Sequence, residues 1–204
     1  MVFPPLGIGK MEKKSERVLV LIDGSNFYYS TAKKGVRVNF QKLIHELVGN
    51  RELINVSYYV APLDIEAGEE KYWSHQRFLN MLRKIPKFKV VLCTLKKIKA
   101  KNGSYVYVVK GDDVKMSNNL LIGAVDNLYD TAIIVSGDED FIDSIKIVRK
   151  KYNKKVGNAY FSKSSSFNLR RTCDFTINLN KILDKIIDKE KHESSVLSEN
   201  HTEH

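Results

Sequence analysis

Residues 17–26 read RVLVLIDGSN, and this stretch decides the fold. Arg17 to Ile22 form a compact apolar strand. Asp23-Gly24-Ser25-Asn26 then break it with residues that favour turns, and a helix is expected from about Phe27. The same design returns twice. In residues 107–119, YVVKGDDVKMSNN, an apolar run ends at Gly111 and Asp112-Asp113. In residues 131–141, TAIIVSGDEDF, another ends at Ser136-Gly137, followed by Asp138 and Asp140. Three strand ends thus each carry Asp beside Gly and a short polar residue.

The rest of the chain alternates strand and helix. Asn39 is placed to cap a helix with Phe40, Leu43, Ile44 and Leu47 on one face and Gly49 just past its end. Val56–Ala61 reads as a strand, and Glu66–Ile85 as a long helix stopped by Pro86. Lys89–Leu95 and Tyr105–Val109 read as a hairpin around a basic turn. Asp113–Leu128 reads as a helix, Thr131–Ser136 as a strand, and Phe141–Lys151 as a helix. Lys155–Phe161 and Phe175–Leu179 are further strands, and Asn180–Lys189 a last helix. This order implies an α/β three-layer sandwich with a mostly parallel central sheet. Residues 1–16 are expected to be a flexible leader, 17–191 the folded domain and 192–204 a disordered polar tail.

In an open parallel sheet, ligands bind in the crevice outside the carboxyl ends of the strands. Asp side chains delivered there from several strands suit a hard divalent cation such as Mg²⁺ or Mn²⁺, which takes oxygen ligands. Their mutual repulsion is a further reason to expect a cation. Each has a plainer role as well: Asp23 as a turn residue, Asp113 and Asp140 as helix caps. Asn119 lies six residues beyond Asp113, about 120° round the helix. It shares a pocket with Asp113 only if Asp113 sits at or before the first turn.

Composition supplies the partner. Lysine and arginine total 34 against 24 acids, giving a net charge of +10. Such a balance points to a polyanion, most often nucleic acid. Lys96, Lys97, Lys99 and Lys101 in the hairpin turn, with Arg170 and Arg171 further on, are candidate phosphate contacts. A second basic run spans Lys146 to Lys155 and can be read as a solvated helix end, since cations are favoured at helix C-termini. Phe27, Tyr28 and Tyr29 are candidates for base stacking, with at least one expected in the core, as is Trp73. Two well-separated cysteines form neither a disulfide framework nor a zinc pattern. With no apolar run of membrane-spanning length and no signal-peptide pattern, a cytoplasmic location is expected. Oligomeric state is not legible, and a homo-oligomer is admissible.

IDGSN, KGDDVKMSNNLL and YDTAIIVSGDEDF, followed by a basic helix and the strand VGNAYF, resemble the NYN domain family, the LabA-like branch of the PIN-like nucleases. The resemblance covers about Val18 to Leu179. It implies a Rossmann-like α/β/α sandwich and a metal-dependent ribonuclease site acting on RNA. Asp23, Asp113, Asp138 and Asp140 match the family's acidic positions, while Asn26, Ser136 and Lys110 match motif positions beside them. Asp23, Asp113 and Asp138 would hold the metal. One position departs: the family phrase DVxLxxD ends here in Asn119, which offers a carbonyl oxygen but no charge. A site weakened by that change would leave an RNA-binding protein. A phosphatase-like enzyme for small substrates is a third reading, disfavoured by the three basic clusters.

Overall fold

The structure, a computed structural model, describes residues 14–99 and 105–188. The leader through residue 13, the polar tail, and Lys101 of the basic turn lie outside the described residues.

Six strands form the central sheet. They are β1 (Arg17–Asp23), β2 (Glu52–Val60), β3 (Phe88–Leu92), β6 (Thr131–Val135), β7 (Lys155–Tyr160) and β8 (Phe175–Asn178). Their order is β3-β2-β1-β6-β7-β8, and every pairing is parallel. Two intervening strands, β4 (Thr94–Lys99) and β5 (Tyr105–Lys110), form a separate antiparallel hairpin. With the hairpin set aside, the order is that of doubly wound dinucleotide-binding sheets, which reverses between the first and fourth strands. Here the reversal falls between β1 and β6.

Alternation along the strands divides the core into two layers. Val18, Val20 and Ile22 of β1 join Tyr58 of β2 and Ile133 of β6 on one face. That face is covered by α1 (Gly24–Ala32), α2 (Phe40–Val48), α3 (Glu69–Arg83) and α7 (Leu183–Ile186). Leu19 and Leu21 face the other way with Tyr59 and Ile134, beneath α4 (Asp112–Val125), α5 (Ile142–Tyr152) and α6 (Phe167–Thr172). Strands buried on both faces read as near-continuous apolar runs. Each fully buried Val, Leu or Ile is worth about 1.5–3 kcal/mol. By the same alternation Asp23, after Leu21, and Ser136, after Ile134, belong to the α4–α5 side. At the start of β1, Arg17 is tied to Asp130 by its guanidinium, with Nη2 at 2.8 Å and Nε at 3.1 Å. These bonds hold the Asp130 carboxyl down to about 2.

Several elements differ from the sequence expectations. Helix α1 begins at Gly24, not Phe27, because Asp23 is itself the cap and accepts from the Asn26 N–H. Strand β2 starts at Glu52 because its first residues pair with Arg17 and Val18. The long helix expected from Glu66 is a single 3-10 turn (Ile65–Ala67) and then α3, separated by Gly68 at φ 117°. The strand expected over Lys89–Leu95 is two: β3 leaves the sheet at Cys93, and the hairpin begins at Thr94. No turn-forming residue marks that change of partner. The final helix is a 3-10 turn (Leu179–Ile182) followed by the short α7. Trp73 is not core: it is 49% exposed and packs edge-on against Tyr72. Phe27 is buried, as expected of one of its trio, while Tyr28 and Tyr29 are exposed. Among the described residues no helix is long and apolar enough to cross a membrane.

Gly24 marks the tightest crossing at the site. A Cβ there would lie 2.4 Å from the Tyr59 carbonyl and 2.8 Å from the Tyr58 ring. Because backbone cannot yield as a side chain can, Gly24→Ala is expected to destabilise by about 1–3 kcal/mol, read by urea unfolding.

Candidate active site at the topological switch point

Three acidic segments end at the carboxyl edge of the sheet, each at the start of a helix. Asp23 ends β1 and caps α1. Asp112 and Asp113 form the first turn of α4, after Gly111 at φ 81°. Asp138 follows β6 and caps the 3-10 turn Glu139–Phe141 that leads into α5. Helix N-termini carry partial positive charge and unpaired N–H groups, so each segment favours a carboxylate.

Asp23 is the buried member, at 6% exposure. One oxygen accepts from the Asn26 N–H at 3.0 Å, and the other from the Ser136 hydroxyl at 2.9 Å. The Asn26 side-chain oxygen accepts from the Gly137 N–H at 3.2 Å. Ser136 Oγ also accepts from the Asp138 N–H at 3.1 Å, and Asp138 from the Asp140 N–H at 3.1 Å. These bonds lace β1 to β6 across the crevice. Burial pushes the Asp23 carboxyl up, against the two hydrogen bonds; Asp112 and Asp138 add to the rise. Burial also raises Asp113, together with the charges of Asp112, Asp138, Asp23 and Asp140, to about 6. The five carboxylates therefore share one electrostatic neighbourhood. Among the described residues none of them pairs with a lysine or arginine.

The sequence-derived candidates divide clearly. Asp23, Asn26, Ser136, Asp138, Asp140 and Asp113 gather at the crevice. Asn119 stands on α4, where its amide donates to the hydroxyl of the fully buried Tyr59. Lys110 ends β5, exposed, two residues before Asp112. Lys96 and Lys97, expected in the hairpin turn, lie instead exposed within strand β4, paired across to Val108 and Tyr107, and Lys97 pairs with Glu66 at 2.8 Å. The side chain of Lys99, like Lys101, lies outside the described residues. Arg170 donates to Ser165 and packs over Tyr160 at 4.9 Å, while Arg171 lies over Phe167.

Two participants were not singled out from the sequence. Asp112 was read as the companion of Asp113, though its charge reaches both Asp23 and Asp113. Tyr59 sits in an apolar strand and reads as core; only its place one residue from the sheet's carboxyl edge sets it apart. Burial raises its phenol to about 12, so it stays protonated. Gly137 also has a role beyond turn-making. A Cβ there would meet the Ser164 carbonyl at 1.5 Å, so the serine-rich segment lies directly over the end of β6. Ser30 and Ser164 share a hydrogen bond of 2.7 Å that ties this segment to α1.

The donor set fits a hard cation of the magnesium type. Such an ion is held by one or two carboxylates, with water and substrate phosphate completing the shell. Among the described residues no three His, Cys, Asp or Glu side chains group closely enough to enclose an ion by themselves.

The three-layer α/β/α architecture around a parallel six-stranded sheet matches a PIN-like fold. The NYN domain family matches residues 17–180, and the chain belongs to that family. A crystal structure of a Vibrio parahaemolyticus protein of unknown function superimposes at a TM-score of 0.68 with 23% identity. The alignment covers 87% of this chain and 99% of that one, which shows the shared fold. Acinetobacter baumannii MurG aligns at a TM-score of 0.38 with 11% identity over 79% of this chain and 40% of its own, too distant to bear on either fold or function. No curated protein matches the sequence.

The crowding at Asp113 has a pH signature. Its raised pKa means the native protein holds that proton more tightly than the unfolded chain. The associated stability is complete below the unfolded pKa near ~4 and is lost as pH rises through about 6. In EDTA, Asp113→Asn should raise Tm at pH 7.5 and leave it unchanged at pH 4. With solvent screening of this partly exposed group discounted, the gain is about 1 kcal/mol, or ~2–4 °C by scanning fluorimetry.

Proposed function

We propose that this protein is a Mg²⁺- or Mn²⁺-dependent endoribonuclease that hydrolyses RNA phosphodiester bonds at the switch-point crevice. The observation that carries the reading is the buried Asp23 carboxylate. Ser136 and the Asn26 N–H hold it in place, and Asp113 and Asp138 lie near enough to raise its neighbourhood's affinity for a cation. Family membership and the net charge of +10 support the same conclusion. Asp23, Asp113 and Asp138 are the carboxylates assigned to the ion, one or two of them binding it directly and the rest acting through bound water. When bound, it would lower the pKa of a water and neutralise charge at phosphorus. Asp140 orients the incoming water. Asn26, Ser136, Asn119 and Lys110 would position water or a substrate phosphate. Lys96, Lys97, Lys99, Lys101, Arg170 and Arg171 would contact backbone phosphates, giving affinity without sequence readout. The free Cys93 and Cys173 suit a reducing cytoplasm.

A second reading, an RNA-binding protein with a weakened site, is favoured by one observation. Where the family phrase offers a carboxylate, Asn119 offers an amide that is committed to the Tyr59 hydroxyl. An Asp here would reverse that bond, with the phenol donating, and would add a negative charge beside α4.

Cleavage of labelled RNA under Mg²⁺ or Mn²⁺ separates the two. The nuclease reading expects cutting by the wild type and none by Asp23→Ala. Ser136→Ala keeps the carboxylate but removes a group that orients it, and should weaken metal affinity about 10–100-fold. If only Asn119→Asp cuts, the weakened-site reading holds. No cleavage by any version sinks the enzyme.

A further inference from the structure

The basic run from Lys146 to Lys155 is not absorbed by the crevice, and the fold gives it a shape. Two adjoining open grooves flank α5, one against α6 and one beside the start of β7, and both are lined by Lys146. The first, about 490 Å³, is bounded by Ile142 and Lys146 of α5 and by Asn168, Arg171 and Thr172 of α6. The second, about 460 Å³, continues past Lys150 to Lys154 and Lys155 at the opposite edge of the sheet.

The upper end of this path is joined to the acidic site. Asn168 donates to Glu139 at 3.4 Å, and Ser166, the cap of α6, bonds the same carboxylate. Glu139 lies between Asp138 and Asp140. Arg149 builds the wall rather than offering a free charge: it bonds the Thr172 carbonyl and pairs with Asp174 at 2.5 Å. Lys146 is exposed and, among the described residues, pairs with Asp143, itself 90% exposed, at 3.3 Å. Lys150, Lys155 and Arg171 are exposed as well.

An aromatic surface stands at the same place. Phe167 opens α6 with 62% of its surface in water, although folding gains nothing from exposing it. Arg171 lies 5.5 Å and Arg170 5.9 Å from its ring centroid. A positive groove with an open aromatic ring is the pattern that binds single-stranded nucleic acid: cations follow the phosphates, and bases stack on the ring. A duplex has no unstacked base for Phe167.

We propose that the α5–α6 groove is a track for single-stranded RNA leading from the acidic crevice, with Phe167 stacking a base and Lys146, Lys150 and Arg171 neutralising successive phosphates. The track rests on the reading of RNA as substrate, and it assigns the strand that leaves the crevice to this face of the molecule.

The test is binding of a fluorescein-labelled oligouridylate in EDTA, followed by anisotropy, so that cleavage plays no part. Phe167→Ala should weaken binding about ten-fold, as loss of one stacked base does. Lys146→Glu combined with Lys150→Glu should weaken it further and flatten the salt dependence by about one unit of slope per lysine. Lys34→Glu with Lys84→Glu, the same charge change at the ends of α1 and α3, should cost little of either. Circular dichroism confirms that each variant is folded. Wild-type affinity in both groove variants, or equal losses in the groove and control pairs, overturns the track while leaving any cleavage by the wild type untouched. Loss of binding in the groove variants, even if the wild type never cuts RNA, upholds the track and removes only the hydrolase.

Discussion

Burying the Asp23 carboxylate is the constraint around which the site is built. A charge taken out of water is costly unless hydrogen bonds replace its hydration. Here the replacements come from both sides of the sheet's switch point: the Asn26 N–H from α1, and the Ser136 hydroxyl from the end of β6. Those bonds require β1 and β6 to lie side by side, Gly24 to let α1 start against the Tyr59 carbonyl, and Gly137 to let the serine segment pass over β6. They are not enough to return the carboxyl to its solution behaviour, since its pKa stays raised. The charges of Asp112 and Asp138 compound the cost. A fold that gathers five carboxylates with no described lysine or arginine paired to them holds free energy that a cation would release.

The layout explains why so much of the centre was legible in the sequence. Asp23, Asp113 and Asp138 each follow an apolar run at a glycine-bearing break; parallel topology brings the breaks after β1 and β6 to one edge, while Asp113 arrives from the separate hairpin at the start of α4. Local pattern and global fold agree there. Where legibility failed, the deciding contact was non-local. Cys93 divides β3 from β4 because β3 pairs with β2 and β4 with β5; nothing in residues 88–99 themselves encodes that exchange. Trp73 looks like core by composition, yet α3 buries mainly Leu79 and Leu82 among its residues, and the indole packs on Tyr72 at the surface. Tyr59 was hidden for the opposite reason. It is core by burial, and only the position of Asn119 on the overlying helix gives its hydroxyl a function.

Asn119 and Tyr59 together show how one residue type alters a site without altering its frame. The helix, the strand and the hydrogen bond all survive with amide or carboxylate, since a phenol can accept from one and donate to the other. What changes is charge. The amide brings no charge to α4 and offers one carbonyl oxygen where a carboxylate would offer two. Basic residues surround this acidic centre but do not enter it: Lys97 is drawn off to Glu66, Arg149 to Asp174, and Arg170 to Ser165. On the proposed reading, the cations left at the surface would meet a long polyanion and the crevice a small, highly charged ion.

Direct measurement of cation binding addresses the centre of this account. Mn²⁺ uptake, followed by loss of the free-ion electron paramagnetic resonance signal, can be compared for the wild type and Asp23→Ala at pH 7.5 and pH 5. The account expects the wild type to bind Mn²⁺ at pH 7.5 and more weakly at pH 5, where Asp113 is largely protonated, with Asp23→Ala binding little at either. Equal uptake by the two proteins, or uptake by the wild type that ignores pH, would contradict it.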